Sequence, residues 1–307
     1  MEPLDELRDL IRRHCGGGLC HSPLSGLTLM RSDATTAPMH GFYQPRFCVV
    51  AQGCKRVLLG ERLFDYRAGD YFLVSVDLPV SGEIVEASPE RPYLACSLDL
   101  EPATLAALLL ELPEAAPDLP AVDGATAGMA MHGLTPELLD PLLRLLRLLD
   151  RPQEIPVLAP LARQEILFRL LLGRQGAMLR QIALAGSRIS QVGRAIDWIQ
   201  RHYAETLRIE ALAEVAGMSA SSLHRHFKAV TALSPLQFQK RIRLQEARRQ
   251  LLARQASAGS IAFAVGYESQ SQFSREYSRL FGAPPRRDAA RLRQASVEER
   301  EEVAQPL

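Results

Sequence analysis

Several features that would assign this chain to a particular class are missing from its 307 residues. No apolar run reaches the roughly 18 residues that a membrane-spanning helix needs, because charged residues and Pro141 interrupt the leucine-rich stretch 138–149. The first residues are acidic and lack the apolar core of a secretion signal, so we expect no secretion. The five cysteines are an odd number without CxxC spacing. They favour reduced thiols in a cytoplasmic protein over a disulfide framework.

Motifs of the common enzyme classes are missing as well. The sequence contains no GxSxG, HExxH, P-loop or GxGxxG pattern. A metal-dependent β-barrel enzyme needs clustered histidines with a carboxylate. The four histidines of the N-terminal half (His14, His21, His40 and His132) stand far apart and form no HxH pair. We therefore expect no catalytic residue, no metal and no cofactor.

The near-neutral net charge of +1 hides a strong asymmetry along the chain. Residues 1–186 carry 17 Arg/Lys and 23 Asp/Glu, whereas residues 187–294 carry 18 and 8. A basic third on an acidic remainder is typical of a polyanion-binding module attached to a carrier. A solvated basic surface is the alternative.

Hydrophobic patterning divides the chain in the same place. Residues 27–100 show short apolar or alternating runs separated by turn residues, which predicts a small β-sandwich or barrel. The runs are 27–30, 47–50, 56–59, 71–74 and 93–96. From 102 to 184 the period becomes helical, with helices predicted over 138–149, after the Thr135-Pro136 start, and over 157–172. Residues 174–190 are typical of a linker, and 294–307 form an acidic tail.

The basic third contains an internal repeat. Leu223, Arg225, Phe227, Ala232 and Pro235 recur fifty residues later as an aromatic, Arg275, an aromatic, a glycine and a proline. Upstream, an Ala-x3-Gly pattern recurs at a spacing of forty-nine. Each copy therefore predicts a short helix, a glycine-containing turn and a longer helix with one apolar stripe. This arrangement is a helix-turn-helix unit.

The second helix of each unit has one buried and one exposed face at 100° per residue. Its N-terminal residues and an arginine one turn later are the positions from which a recognition helix reaches base edges or phosphates. Ser219 and Ser269 are predicted helix caps, and Ser269 with Gln272 fits a capping box. The candidate DNA-binding residues are Ser219, Ser221, His224, Arg225 and Lys228 in the first unit, and Ser269, Gln270, Ser271 and Arg275 in the second.

Ser234-Pro235 predicts the start of a helix that runs to about Ala253 between the two units. About 20 residues at ~1.5 Å each give a rod of about 30 Å. Successive major grooves on one face of DNA are ~34 Å apart, so the rod suits two recognition helices in adjacent grooves. Its arginines, which include Arg241, Arg243 and Arg248, either form a solvated face or lie near phosphates.

The segments 209–252 and 260–287 together resemble the DNA-binding domain of the AraC/XylS regulators. The resemblance covers 192–291, and both units, the rod between them and the closing proline appear in order. It implies that bases are read by Ser221, His224 and Arg225 and by Gln270, Ser271 and Arg275. The family usually has glycine where Ala232 stands, a departure that affects the local turn.

Residues 26–100 resemble the cupin-like N-terminal domain of one branch of this family. The resemblance implies a barrel that senses a small effector, followed by helices that mediate dimerisation. The expected fold is therefore α+β: a cupin-like β-barrel with a helical hairpin over 1–186, then an all-α double helix-turn-helix domain over 187–293. We expect a cytoplasmic, nucleoid-associated regulator of promoter DNA. Its expected partners are a small-molecule effector, RNA polymerase if it is an activator, and a second copy of itself, but no membrane.

Two other functions stay open at this stage. A cupin-type enzyme with a helical appendage would reveal itself by stoichiometric iron or manganese in the purified protein. A non-specific nucleic-acid-binding protein would bind random and promoter DNA equally at ~0.15 M salt.

The cysteines and the leucines each allow two interpretations. Cys48 and Cys96 fall in predicted strands, where a buried thiol is usually inert. Cys54 stands beside Lys55 and Arg56 in a predicted turn, so a lowered thiol pKa and a redox or electrophile sensor are the alternative. The leucine stripes 138–149 and 166–172 predict core packing, with a dimer contact as the alternative.

Overall fold

The computed structural model describes residues 3–111, 128–184, 186–253 and 257–294. The strands of this part are β1 (Gly18–His21), β2 (Leu27–Ser32), β3 (Met39–Tyr43), β4 (Arg46–Gln52), β5 (Cys54–Leu59), β6 (Arg62–Arg67), β7 (Asp70–Val74), β8 (Leu78–Glu86), β9 (Tyr93–Asp99) and β10 (Met129–Gly133). The helices are α1 (Pro3–His14), α2 (Pro102–Glu111), α3 (Pro136–Arg147), α4 (Ile155–Leu172), α5 (Gly176–Ala183), α6 (Arg188–Arg201), α7 (Ile209–Ala216), α8 (Ala220–Thr231), α9 (Pro235–Ala253), α10 (Ala258–Ala264), α11 (Gln270–Phe281) and α12 (Pro285–Gln294). Across these ranges no helix combines the length and the apolar character needed to cross a bilayer.

The strands form two antiparallel sheets that pack face to face. The larger sheet has the order β1-β2-β9-β4-β7-β10 and the smaller one the order β3-β8-β5-β6. All five predicted strand runs lie in strands, namely β2, β4, β5, β7 and β9. Of the strands that were missed, β3 has no fully buried residue, whereas β8 buries five of its nine residues but Pro79, Ser81 and Gly82 interrupt its apolar pattern.

The helices that follow the sheets pack the leucine stripes into the core. The prediction for 138–149 corresponds to α3 and the prediction for 157–172 to α4. Leu138, Leu142, Leu143, Leu145 and Leu146 of α3 and Leu167, Leu170 and Leu171 of α4 are buried, whereas Leu158, Leu161 and Leu172 of α4 are exposed. The predicted linker over 174–190 is wrong, because α5 occupies residues 176–183. Its Met178, Leu179 and Ile182 share one buried face.

The C-terminal third consists of two similar helix pairs, α7–α8 and α10–α11, joined by α9. The predicted α+β fold, with an N-terminal β domain and a C-terminal double helix-turn-helix domain, is confirmed. At the start of α9 the Ser234 hydroxyl accepts from the Gln237 N–H, and the Gln237 side chain accepts from the Ser234 N–H. This reciprocal cap fixes where α9 begins. Beyond residue 294, the predicted acidic tail lies outside the described residues.

The β domain and the first helix pair share one continuous hydrophobic core. That core extends from α1 through both sheets to Phe238 and Ile242 of α9. The second helix pair has a separate core with α9 and α12. Strand β3 bridges the two parts: Phe42 packs edge-on against Phe238 at 5.9 Å between ring centroids, and His40 against Phe281 at 5.5 Å.

The expectation of reduced thiols is wrong for one pair of cysteines. Cys15 follows α1, and a turn of three glycines brings Cys20 of β1 back to it with a Cα–Cα distance of 5.6 Å. Gly17 and Gly18 adopt positive φ in this turn, which glycine does without steric cost. Cys15 and Cys20 form a disulfide, and Cys48, Cys54 and Cys96 are free thiols.

Candidate DNA interface and ligand cavity

Helix α8 has the two faces that the sequence predicts. Leu223, Phe227 and Val230 are buried against the rest of the first helix pair. The proposed DNA-binding residues of this unit are all exposed: Ser219, Ser221, His224, Arg225 and Lys228. Arg225 contacts the ring of half-buried His226 at 3.4 Å and otherwise projects from the helix. The N-terminal half of α8 is thus an accessible polar and basic surface.

Helix α11 repeats this layout in the second unit. Phe273 and Tyr277 are fully buried, whereas Gln270, Ser271 and Arg275 are exposed and Ser269 is partly buried. The Ser269 hydroxyl accepts from the Gln272 N–H at 3.4 Å, as Ser219 accepts from Ser222 at 3.3 Å. The Gln272 side chain donates to Glu276, so half of the predicted capping box forms.

The ends of both recognition helices need left-handed backbone. Gly282 ends α11 with φ +74° and Ala232 ends α8 with φ +61°. Among the described residues Ala232 is the only non-glycine residue with positive φ. A Cβ makes this conformation unfavourable by about 1 kcal/mol relative to glycine. The position where the chain departs from the family pattern is thus a strained helix end.

The arginines of α9 lie neither along a solvated face nor in a row toward DNA. Arg248 is buried and binds the buried Asp288 of α12 at 2.8 and 3.3 Å. Arg243 donates to backbone carbonyls of Tyr203 and Gly266. Arg241 is half-buried, and its charge is close enough to His40 of the β domain to affect that ring's pKa. Arg243 and Arg248 therefore bind other parts of the protein rather than solvent or DNA.

The β domain contacts the C-terminal ends of the recognition helices and leaves their N-terminal halves open. The N–H of Gly128 donates to the carbonyl of Val230 at 2.9 Å, near the end of α8. His40 packs on Phe281 at the end of α11. Burial, with the charges of Arg241 and Arg248, lowers the pKa of His40 to about 4. A neutral imidazole therefore stands between the two domains at pH 7.

A cavity of about 470 Å³ opens inside the β domain. That volume is within the range of roughly 300–1,000 Å³ that is usual for small-molecule sites. Its walls come from both sheets and are mostly apolar, with Met30, Met39 and Phe72 among them. Helix α9 completes the wall with Gln245, Glu246 and Arg249. The cavity is therefore bounded by the same helix that joins the two helix-turn-helix units.

The cavity lining also contains charged groups of both signs: the cations Arg46, Lys55 and Arg249 and the carboxylates Asp77, Asp99 and Glu246. Lys55 is 7% exposed, and its Nζ lies 5.6 Å from the centroid of the Tyr43 ring. Arg46 Nη2 is 3.7 Å from an Asp99 carboxylate oxygen. In the described part of the chain, the buried Arg46 Nε has no hydrogen-bond partner. Neither Lys55 nor Arg46 was predicted as a binding residue, because the sequence pattern placed Lys55 in a turn rather than in β5.

The three free thiols lie in the sheets. Cys48 and Cys96 line the cavity, and burial raises the pKa of both, to about 12 for Cys48. The expected lowering of the Cys54 pKa is wrong: burial and the carboxylates of Glu86 and Asp65 raise it. Cys54 begins strand β5, and Asp65 on the neighbouring strand binds Arg56 at 2.8 Å. In the described ranges no group of three or more His, Cys, Asp or Glu residues is placed to hold a metal ion.

Comparison with known proteins decides the family. The family model described as "AraC-type transcriptional regulator N-terminus" matches residues 23–178, and a helix-turn-helix domain model matches 212–291. The chain belongs to the AraC-type transcriptional regulators. This regulator therefore combines an AraC-type N-terminal domain with a DNA-binding helix-turn-helix domain.

Curated relatives of this regulator include activators. The HTH-type transcriptional activator RhaS of Escherichia coli (strain SE11) is 33% identical over 127 residues, 41% of this chain and 45% of RhaS. RhaS of Escherichia fergusonii is 34% identical over 131 residues, 42% and 46% of the two chains. The match thus spans about half the length of these relatives.

Solved structures show the same fold over most of the chain. An apo ToxT variant from Vibrio cholerae strain SCE256 has a TM-score of 0.56 at 10% identity and covers 88% of this regulator and 99% of ToxT. ToxT from Vibrio cholerae O395 bound to (E)-4-(8-methylnaphthalen-1-yl)but-3-enoic acid also has a TM-score of 0.56, at 9% identity, covering 86% and 97%. At such identities the likeness concerns the fold alone.

Proposed function

We propose that this regulator binds promoter DNA through the N-terminal halves of α8 and α11, and that a small molecule in the β-domain cavity controls its activity. The observation that carries the first part is the exposure of both sets of reader residues on helices whose opposite faces are buried. Ser221, His224 and Arg225 read one half-site, and Gln270, Ser271 and Arg275 read the other. Ser219, Lys228 and Ser269 lie beside the backbone phosphates.

Alanine substitution of the two arginines tests this assignment. Arg225→Ala and Arg275→Ala should each weaken specific binding by about 1–3 kcal/mol and relax the preference at the base that each contacts. Arg151→Ala is the matched control, because Arg151 is an exposed arginine of the N-terminal half. Affinities are measured by fluorescence anisotropy on duplexes selected from a random library. An unchanged affinity and footprint in both variants would contradict the assignment.

For the cavity we propose a small amphipathic molecule with an acidic group. Apolar walls suit its body, whereas Lys55 and the Arg46 Nε suit an acceptor-rich end. Two ToxT structures, which are similar in fold, are bound to an unsaturated fatty acid and to a substituted butenoic acid. Because α9 forms part of the wall, an occupant would contact the helix that connects the two recognition units.

Thermal unfolding tests the cavity proposal. Binding to the folded state raises Tm in a concentration-dependent way. The probes are oleate and naphthalene-substituted short acids, each compared with its methyl ester. A Tm rise with the acids that is lost with the esters and in Lys55→Met supports an acidic effector. Equal shifts with acid and ester would contradict the proposed acidic group.

The remaining parts of the proposal concern assembly and context. We propose that the protein is an activator that contacts RNA polymerase, as the RhaS relatives are named activators, and that it acts in the cytoplasm, beside the nucleoid. We propose that the two-sheet domain is cupin-like. We also propose that the boundary between the two domains lies between residues 186 and 187, in the interval that separates the two family matches. We propose that the protein has no enzymatic role. Metal analysis of the purified protein tests the alternative of a cupin-type enzyme.

The proposed homodimer uses a different surface from the leucine stripes. Those stripes are core, whereas Val157 and Leu161 of α4 are 68% and 59% exposed. Sedimentation should show a dimer at micromolar concentration that Leu161→Glu converts to monomer. A wild-type chain that sediments only as a monomer would remove the dimer from the account.

We propose that the free cysteines are not redox sensors. Cys48, Cys54 and Cys96 are buried, and their thiol pKa values are raised, so little thiolate is present at pH 7. We propose that they pack in the sheets. Cys54→Ser, at a free cysteine outside the cavity wall, should leave the response to inducer unchanged.

A further inference from the structure

The two recognition helices are each attached to α9 by a separate set of contacts. In the first unit, the Phe227 ring of α8 packs edge-on against Phe238 of α9, with 5.3 Å between the ring centroids. In the second, Lys240 of α9 binds Glu276 of α11 at 2.8 Å, next to the proposed reader Arg275. The relative orientation of α8 and α11 therefore depends on how the two helix-turn-helix units meet at the middle of α9.

Arg243 stands at that meeting point. Its guanidinium donates to the carbonyls of Tyr203 at 2.6 Å and Glu205 at 2.8 Å, in the turn that leads into the first unit. It also donates to the carbonyl of Gly266 at 2.7 Å, in the turn of the second unit. A single planar side chain with several fixed donors thus spans both units.

The two turns are also in direct contact. Gly266 has φ +90°, and a Cβ at this position would lie 2.2 Å from the Ala204 carbonyl oxygen. Only glycine at position 266 lets the turn of the second unit approach the turn at residues 203–205 so closely. Gln239, one turn before Arg243, donates to Tyr203 and Glu205 but makes no recorded bond to the second unit among the described residues. Arg243 therefore ties the two turns together by hydrogen bonds to both, beside Tyr203, which packs against both hydrophobic cores.

We infer that Arg243 is a positioning residue that fixes the distance and angle between α8 and α11, so that the protein accepts one spacing between its two half-sites. This inference rests on the proposed function of the two helices. Two linked modules gain affinity only when their geometry permits simultaneous contact. One inserted base pair rotates a half-site by roughly 34° and moves it by about 3.4 Å, since a turn has about 10 base pairs. A rigid joint cannot follow both changes.

The test measures the affinity of the full chain for duplexes that it selects from a random library. Variants of the selected duplex carry zero to five base pairs inserted between the half-sites. A further duplex contains one half-site alone. Wild type should lose at least about tenfold in affinity on insertion of two base pairs. Arg243→Ala should reduce this penalty to less than about threefold, with half-site affinity unchanged. Arg243→Lys keeps the charge without the fork and should also broaden the spacing profile. Gln239→Met should keep the sharp profile.

The possible outcomes separate the inference from the proposed function. If wild type shows no preference for the selected duplex over random DNA, the proposed function fails. If wild type is specific and a folded Arg243→Ala or Arg243→Lys retains the wild-type spacing profile, the positioning role is refuted. It is equally refuted if these variants lose half-site affinity by the same factor as affinity for the full site.

Discussion

The buried ion pair between Arg248 and Asp288 should decide the stability of the second helix-turn-helix unit. The two side chains are 6% and 0% exposed, and Tyr277 donates its hydroxyl to the same carboxylate at 2.9 Å. Replacing Arg248 by methionine leaves the carboxylate buried beside Tyr277 and Arg291. Removal of one partner from a buried pair costs about 3–5 kcal/mol. Because Arg291 also reaches Asp288, at 3.2 Å, and its own side chain is half exposed, we expect about 3 kcal/mol.

This loss should be local, because the second unit has its own hydrophobic core. Hydrogen exchange measures the free energy of local opening. A loss of about 3 kcal/mol corresponds to roughly a hundredfold loss of protection for amides of α11 and α12 in Arg248→Met. Amides of α7 and α8 should change little, since they belong to the other core.

The double variant Arg248→Met/Asp288→Asn is the matched control. It removes both charges and keeps an acceptor for the Tyr277 hydroxyl, so most of the lost protection should return. A loss in Arg248→Met of less than about fivefold would refute the reasoning. The same conclusion would follow if protection fell equally in both units.

Two further predictions follow from the described contacts. Burial and nearby positive charges lower the pKa of His40 to about 4, so the folded state disfavours the protonated imidazole. The free energy of unfolding should therefore fall as the pH drops from about 6.5 toward 4. His40→Gln should flatten this pH dependence, as measured by urea unfolding. A pH profile of the variant parallel to that of wild type would contradict the assignment. Ala232→Gly should raise the unfolding free energy by about 0.5–1 kcal/mol, because it relieves the positive φ at the end of α8, and a loss of stability would show that the methyl group is needed for packing.

The helix-turn-helix units were predictable from sequence because their signals are local. Serine caps, glycine turns and the apolar period of α8 and α11 all lie within a few residues of the helices that they define. The exposure of Arg225 and Arg275 follows from the position of the buried aromatics on the same helices. Contacts between neighbouring turns of one helix can be calculated from spacing alone.

The roles of the α9 arginines were not predictable in this way. Arg248 meets Asp288 forty residues further along the chain. Arg243 binds backbone carbonyls, which leave no mark in the amino-acid sequence. A run of basic residues on a helix looks the same whether its partners are water, phosphate or the protein backbone. Only the tertiary arrangement distinguishes these cases.

The cavity and the thiol environments also depend on distant strands. The cavity walls combine strands from both sheets with α9. For Cys54, the neighbours Lys55 and Arg56 suggested a lowered pKa, but the sheet adds the carboxylates of Asp65 and Glu86. Strand pairing between β5, β6 and β8 brings these groups together. Burial of the thiol and, after it, these carboxylates across the sheet therefore raise the pKa of Cys54.

The central claim is that α8 and α11 enter neighbouring major grooves with their N-terminal halves. Tethered DNA cleavage tests it: an iron chelate is attached to a cysteine at Ser221→Cys or Ser271→Cys, with Arg151→Cys as the control. The free native cysteines are buried and should not be labelled. On a selected duplex, the two labelled proteins should cut at two positions about one helical turn apart, and the control should not cut. Cleavage at one shared position, or none from either recognition helix, would contradict the account.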